Sequence, residues 1–322
     1  MKIVVALGGN ALLERGETPD ADIQEHHVRS AASALAPLVT QHNVVITHGN
    51  GPQVGVLALE SEADAALSRP YAFDSLVAET QGLIGNWLLA AIERAAPGHE
   101  AVCLLTRTLV DATDPGFAEP TKYVGRVYTA REAREAGRVH GWSMRQDGLN
   151  WRRVVASPEP TAIIEIEEIR ALLGTGRTVI CAGGGGVPVI RDKDGHLRGV
   201  DAVVDKDLTS SLLAAHLRAD ALLLLTDVAN VQRDYGTAGA RAIGRTSVDA
   251  LREMDFAAGS MGPKVEAACR FAEATGGIAA IGRLTDAARL LSGETGTIVY
   301  PNRPVAGSTT FASTGQSQGV TP

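Results

Sequence analysis

Ile3-Val4-Val5-Ala6-Leu7-Gly8-Gly9-Asn10-Ala11 decides the fold of this chain. Five apolar residues, β-branched in the first half, run straight into two glycines. So short a run predicts a strand buried on both faces rather than a helix. The glycines predict a sharp turn whose backbone can come close to a ligand. The same device recurs where Val44-Val45-Ile46-Thr47 meets His48-Gly49-Asn50-Gly51-Pro52, and where the run 178–182 meets Gly183-Gly184-Gly185-Gly186-Val187-Pro188. In an open parallel sheet, ligands bind outside the C-terminal ends of the strands. The N–H groups of a glycine turn at a helix start can surround an anion. One such turn is an ordinary link between strand and helix; three predict one continuous anion-binding crevice.

Amphipathic helices separate these strands. Helical spacing of apolar residues covers 22–39 (Ile23, Val28, Leu35, Leu38), 53–67 and 73–95 (Leu76, Leu83, Trp87, Leu88), and a strand is expected at 102–105. In the second half helices are expected at 165–173, 207–217 and 263–274, with strands at 221–225, 278–281 and 297–300. The run Ala221-Leu222-Leu223-Leu224-Leu225 is apolar enough to be central. Alternating strands and helices make the expected fold class α/β, a three-layer α/β/α sandwich around a mostly parallel open sheet. The alternation fails from Asp111 to about Arg153, a stretch holding Phe117, Tyr123, Tyr128, Trp142 and Trp151 of the chain's 13 aromatics. That segment predicts a small protruding subdomain at about 112–153. Residues 191–195 read as a hairpin turn, and the polar segment 301–322 as a disordered tail.

A formal net charge of −7 argues against a nucleic-acid or membrane-surface role, so any phosphate site must be a local basic pocket. Cys103, Cys181 and Cys269 are isolated, as expected of small core residues in a reducing compartment. The first apolar run is too short for a signal peptide and no stretch is long enough to span a bilayer, so a cytoplasmic location is expected. Neither G-x-x-x-x-G-K-[ST] nor G-x-G-x-x-G occurs at the glycine turns, and there is no clustered Cys/His set. His26-His27 reads as a surface pair, and no protein metal ligand is expected.

Only five of the 30 basic residues are lysine. Lys2 and Lys193 are explained by terminus and turn. Lys122, Lys206 and Lys264 each sit beside a turn-former or an acid: Pro120-Thr121-Lys122, Val204-Asp205-Lys206-Asp207 and Met261-Gly262-Pro263-Lys264. A compact ammonium suits a phosphate oxygen, where arginine offers a planar fork.

These segments, with Glu79-Thr80-Gln81-Gly82 and Gly259-Ser260, occur in the order found in the amino-acid kinase superfamily. From Lys2 to about Tyr300 the chain resembles that family, and within it the carbamate kinases. Relatives such as acetylglutamate kinases carry a lysine two residues before the first Gly-Gly; here that position is Ala6, and the resemblance makes Lys206 its substitute. The insertion after Asp111 is likewise similar to the protruding subdomain of carbamate kinases.

The resemblance implies reversible phosphoryl transfer between ATP and carbamate, giving ADP and carbamoyl phosphate. It implies that backbone N–H groups at Gly8, Gly9, Asn10, Gly49, Asn50 and Gly51 hold the carbamate and the phosphoryl group in flight. Lys206 and Lys264 would face the ATP phosphates, Lys122 would reach in from the subdomain, and Asp207 and Asp205 would orient the cations. Thr226, Asp227, Val228, Tyr235, Met261 and Gly262 would border the nucleotide. Mg²⁺ would bind through nucleotide phosphates and water. A homodimer is implied, with 73–95 a candidate contact, as is a place in arginine catabolism. Two other readings stay open: a family member with another small anionic acceptor, and a non-catalytic nucleotide-binding protein on this fold.

Overall fold

The structure, a computed structural model, describes residues 1–14, 16–256 and 261–302. The opening run forms strand β1 (Lys2–Leu7), buried on both faces. Side chains alternate along a strand. Val4 and Ala6 therefore enter one core, and Ile3, Val5 and Leu7 the opposite one. The further strands of the same sheet are β2 (Asn43–His48), β3 (Ala101–Cys103), β4 (Thr178–Ile180), β5 (Ala221–Thr226), β6 (Arg245–Ser247), β7 (Ile278–Arg283) and β8 (Thr297–Tyr300). Their order across the sheet is β6-β8-β7-β5-β1-β2-β4-β3. Every neighbouring pair is parallel except β7 and β8.

Helices cover both faces. Over Ile3, Val5 and Leu7 lie α1 (Ala21–Gln41), through Val28 and Leu35, and α3 (Phe73–Ala95), through Ile84 and Leu88; α2 (Gly51–Ala63) lies between them in the chain. Over Val4 and Ala6 lie α4 (Lys206–Leu217), through Leu213 and Leu217, and α5 (Met261–Thr275), through Val265 and Ala268. Each buried Val or Leu contributes about 1.5–3 kcal/mol, so the two apolar layers hold the sheet between them. The three-layer α/β/α sandwich is as expected from the sequence. Among the described residues no helix is long and apolar enough to cross a membrane.

Several element ends differ from the sequence expectation, for local reasons. Helix α2 stops at Ala63 instead of running to 67, because Asp64 leaves the helical region and its Oδ1 takes the Ala66 N–H at 2.9 Å. Strand β3 ends at Cys103, and Leu105 is exposed. There the Gln81 carboxamide, on α3, clamps the Thr106 backbone through both its ends, at 3.0 and 2.9 Å. The chain is thereby diverted into a strand that the sequence did not announce, Arg107–Val110. With Leu197–Gly199, Val187–Arg191 and Pro160–Ile163 it makes a second, four-stranded sheet. Strand β4 ends at Ile180, since Ala182 adopts a left-handed φ of 50° that no strand residue shares. Leu83, expected on the buried face of α3, points outward.

Within the segment that breaks the alternation, Lys122–Tyr128, Met144–Asp147 and Asn150–Val155 form an antiparallel sheet of their own. Helix Ala130–His140 packs on it, opened by a Thr129/Glu132 capping box and closed by Gly141 at φ 70°. The expectation of a disordered tail falls on residues that lie, from 303 onward, outside the described ones.

Candidate functional site

Strand order places the site. The chain leaves β1 toward β2 on one side and returns to β5 on the other, which makes the C-terminal ends of β1, β2 and β5 a topological switch point. A crevice of about 1400 Å³ opens there, walled by Gly8, Gly9, Gly49, Asn50 and Gly51. The turns touch: a Cβ on Gly49 would lie 3.0 Å from the Gly9 nitrogen, and one on Gly8 would lie 3.0 Å from the Leu225 carbonyl. A side chain at either position would press on the neighbouring backbone. The Gly8 N–H donates to Leu225 O and the Gly49 N–H to Leu7 O, each at 3.0 Å, so these two amides are held by the sheet. Gly9 and Gly51 open helical turns, where an N–H has no intrahelical acceptor. With the Asn50 N–H, which also donates to no acceptor among the described residues, they are amides available to an anion.

The third glycine turn reaches the crevice only through Gly184. The rest of it is a support. Thr108 donates to the Gly185 carbonyl at 2.7 Å, and the Thr209 hydroxyl is shared between that carbonyl at 3.1 Å and the Asp205 carbonyl at 3.0 Å. A Cβ on Gly183 would collide with His48, 2.4 Å away. His48 is buried, and its Nδ1–H donates to Gly49 O at 2.9 Å. Burial, reinforced by the Lys206 charge, lowers its pKa to about 4 against the opposing pull of that hydrogen bond, so it is neutral at pH 7.

The charges converge at the start of α4. Asp205 is its N-cap, with Oδ1 accepting the N–H groups of Asp207 at 2.9 Å and Leu208 at 3.3 Å. That cap holds Lys206 and Asp207 in the first turn. Asp207 Oδ1 takes Lys206 Nζ at 2.5 Å and Oδ2 takes Lys264 Nζ, from the first turn of α5, at 3.0 Å. Asp205 Oδ2 takes Lys122 Nζ at 3.1 Å, from the edge of the separate small sheet. Three lysines from distant parts of the chain thus meet two neighbouring carboxylates. Burial acts to raise the Asp207 pKa, but the Lys206 and Lys264 ammoniums outweigh it and hold the carboxyl down to about 2. Burial lowers the Lys206 pKa, with the Asp207 charge opposing it. Chemically, the cluster offers fixed ammonium donors beside glycine amides in a partly enclosed cleft, an arrangement suited to transferring phosphate charge.

Of the nucleotide-side residues expected from the sequence, Thr226, Asp227, Val228, Tyr235 and Met261 wall the crevice beyond these lysines. Gly262 lies in the first turn of α5 but is not part of the wall. Asn10 belongs to the turn Gly9–Ala11, and its side chain lies outside the description. Sequence reasoning missed Arg126, Arg152, Glu253 and Phe256, which also face the crevice. No motif marks them. His48 and Thr80 stood inside quoted motifs but had no assigned role.

Comparison with known proteins bears on this geometry. The amino acid kinase family matches residues 1–281. The chain is 50% identical over 302 residues to carbamate kinase of Rhizobium meliloti, covering 93% of each protein. It is 46% identical over 298 residues to carbamate kinase of Haemophilus influenzae, covering 92% of this chain and 96% of that protein. Among solved structures it is similar to carbamate kinase from Giardia lamblia bound to AMP-PNP, with 39% identity, a TM-score of 0.87, and coverage of 94% of this chain and 98% of that one.

Proposed function

The chain belongs to the amino acid kinase family, and within it to the carbamate kinases, and from that premise we propose that it moves a phosphoryl group between ATP and carbamate, giving ADP and carbamoyl phosphate. The observation that carries this reading is the meeting of Lys122, Lys206 and Lys264 on Asp205 and Asp207 beside the glycine turns.

A carbamate oxygen attacks the γ-phosphorus. An O–P bond forms as the bond to the β-phosphate oxygen breaks, and ADP leaves with that electron pair. Both reactants are anions, so positioning and charge neutralisation are the catalytic tasks. Carbamate already carries its attacking oxygen as an anion, so no general base is needed. Gly9 and Gly51 offer N–H groups to the acceptor and the group in flight, while Gly8 and Gly49 let the turns approach. Asn10 and Asn50 complete these turns. Lys206 and Lys264 neutralise the phosphoryl oxygens, and Asp207 keeps the two ammoniums apart and aimed. Lys122 reaches in from 112–153, which acts as a protruding subdomain of a 1–300 kinase domain.

Thr226, Asp227, Val228, Tyr235, Met261 and Gly262 belong to the nucleotide end. The Giardia relative bound to AMP-PNP supports a nucleotide as one of the substrates. Asp205 and Asp207 are engaged by lysines. The donors that fit Mg²⁺ are therefore nucleotide phosphate oxygens and water, which magnesium prefers to keep. When bound, the ion neutralises the β- and γ-phosphate oxygens. A cytoplasmic homodimer serving arginine catabolism completes the proposal.

The test is ATP formation from ADP and carbamoyl phosphate. Lys206→Ala and Lys264→Ala should each lower kcat/KM about 100-fold or more. Retention of most activity in both would overturn the lysine assignment. Turnover of another small anionic acceptor in place of carbamate would redirect the substrate, and nucleotide binding with no turnover would sink the enzyme reading.

A further inference from the structure

Resting on that carbamate reading, we propose that the Asn50 side chain recognises the amino group of the substrate through Oδ1, and that Thr80 sets this by orienting the carboxamide.

Asn50 stands at the N-cap of α2. Asparagine is favoured there because its oxygen accepts an N–H of the first turn. Here no such capping bond is made. Instead Asn50 Nδ2 donates to Thr80 Oγ1 at 2.9 Å. The Thr80 hydroxyl has one proton, and it goes to the Val77 carbonyl, also at 2.9 Å. Thr80 Oγ1 must therefore accept from Asn50, and this assigns the two ends of the amide. Oδ1 accepts no hydrogen bond among the described residues. Asn50 is only 4% exposed, yet it walls the crevice between Gly49 and Gly51. Gly184 packs against the whole carboxamide: a Cβ there would lie 2.3 Å from Nδ2 and 2.8 Å from Oδ1. The carboxamide is packed, anchored at its donor end, and left with an acceptor.

That acceptor stands out in its surroundings. The Gly9 and Gly51 amides and the Lys206 and Lys264 ammoniums are all donors, and Asp205 and Asp207 are held by lysines. Donors suit the oxygens of carbamate but not its amino group, which only donates. Acetate has the same shape and charge with a methyl in that place. A site that presents a fixed acceptor favours the amino compound, because the methyl analogue leaves the acceptor unpaired. Asn50 is thus a specificity residue and Thr80 its positioning residue.

The experiment measures ATP formation by the full chain with carbamoyl phosphate and, separately, acetyl phosphate as donor. Asn50→Ala and Thr80→Val are compared with the unaltered protein, with thermal melting and ADP binding as checks of folding. The ratio of kcat/KM, carbamoyl over acetyl phosphate, is expected to fall about tenfold to 100-fold in Asn50→Ala. In Thr80→Val the ratio should fall in the same direction but less, as the amide loses its anchor. A ratio within twofold of the unaltered protein's would overturn the proposal, since Asn50 would then only shape the turn. If Asn50→Ala does not fold, the Thr80→Val ratio decides alone. An unaltered protein that does not turn over carbamoyl phosphate would overturn the function proposed above, a result separate from either variant's.

Discussion

Asp207 stands between two ammoniums that would otherwise face each other across a buried gap. Its carboxyl is held at about 2, well below the ordinary value of 3.8. A depressed carboxyl contributes stability that is present above the unfolded value and lost as pH falls through the folded one. Here that loss runs from about pH 4 to pH 2, so the Asp207 carboxylate stays charged at neutral pH. Removing the carboxylate leaves two buried like charges. Asp207→Asn is expected to cost about 3–5 kcal/mol in urea unfolding and to cut kcat/KM about 100-fold or more. Unchanged stability would show that the lysines relax into solvent. His48 acts in a different pH window. Its pKa of about 4 lies below the ordinary 6.5, so folding is fully favoured above pH 6.5 and loses ground as pH falls toward 4, by about 3 kcal/mol over that range. The carboxylates titrate there too, so the comparison is with His48→Gln. That variant should show a flatter fall in unfolding free energy between pH 6.5 and pH 4.5, and an unaltered fall would remove His48 as the cause.

Strand Lys122–Tyr128 is held at the height from which Lys122 reaches Asp205 by a joint built on Arg153. Arg153 lies on the partner strand, paired with Val124. Its guanidinium lies 4.3 Å from the centroid of the Trp142 ring and 5.0 Å from that of Phe73, at the start of α3. It also donates to Asp201 Oδ2 at 3.2 Å, while Asp201 Oδ1 accepts the Phe73 N–H at 2.9 Å. This joint ties the small sheet to the body through a planar cation that lysine cannot imitate. Arg153→Met and Arg153→Lys should therefore raise the KM for carbamoyl phosphate by a similar factor, about fivefold to tenfold, with little change in melting temperature. Steady-state kinetics check this, and full rescue by lysine would reduce the joint to a simple ion pair. The joint was not legible beforehand. Arg153 is one of 25 arginines, and nothing local to it points to Phe73 or Asp201. Strands β1, β2 and β5 were legible because a buried parallel strand writes itself as a continuous apolar run. Strand Arg107–Val110 was not, because it is produced by the Gln81 clamp on Thr106 rather than by its own composition.

For the whole molecule, α3 packs on the edge strand β3 and leaves Leu83 39% exposed, with Leu105 just beyond β3 at 51%. An apolar surface at a sheet edge is a reason to pair. Light scattering should give twice the chain's mass, and Leu83→Arg should shift it toward the monomer; a monomeric unaltered protein would remove the dimer. The layered α/β class, the glycine turns and the three lysines were legible in the chain alone. Apolar runs, glycine pairs and scarce residue types are properties of neighbours along the chain. How these parts are used depends on the folded arrangement. The structure shows that Gly8 and Gly49 give their N–H groups to the sheet, that Asp207 serves two lysines at once, and that the Asn50 amide has its ends assigned by Thr80, thirty residues away. The physical reason is that a hydrogen bond's direction and a charge's partner depend on what lies across the crevice. Strand order, not sequence distance, sets that neighbourhood.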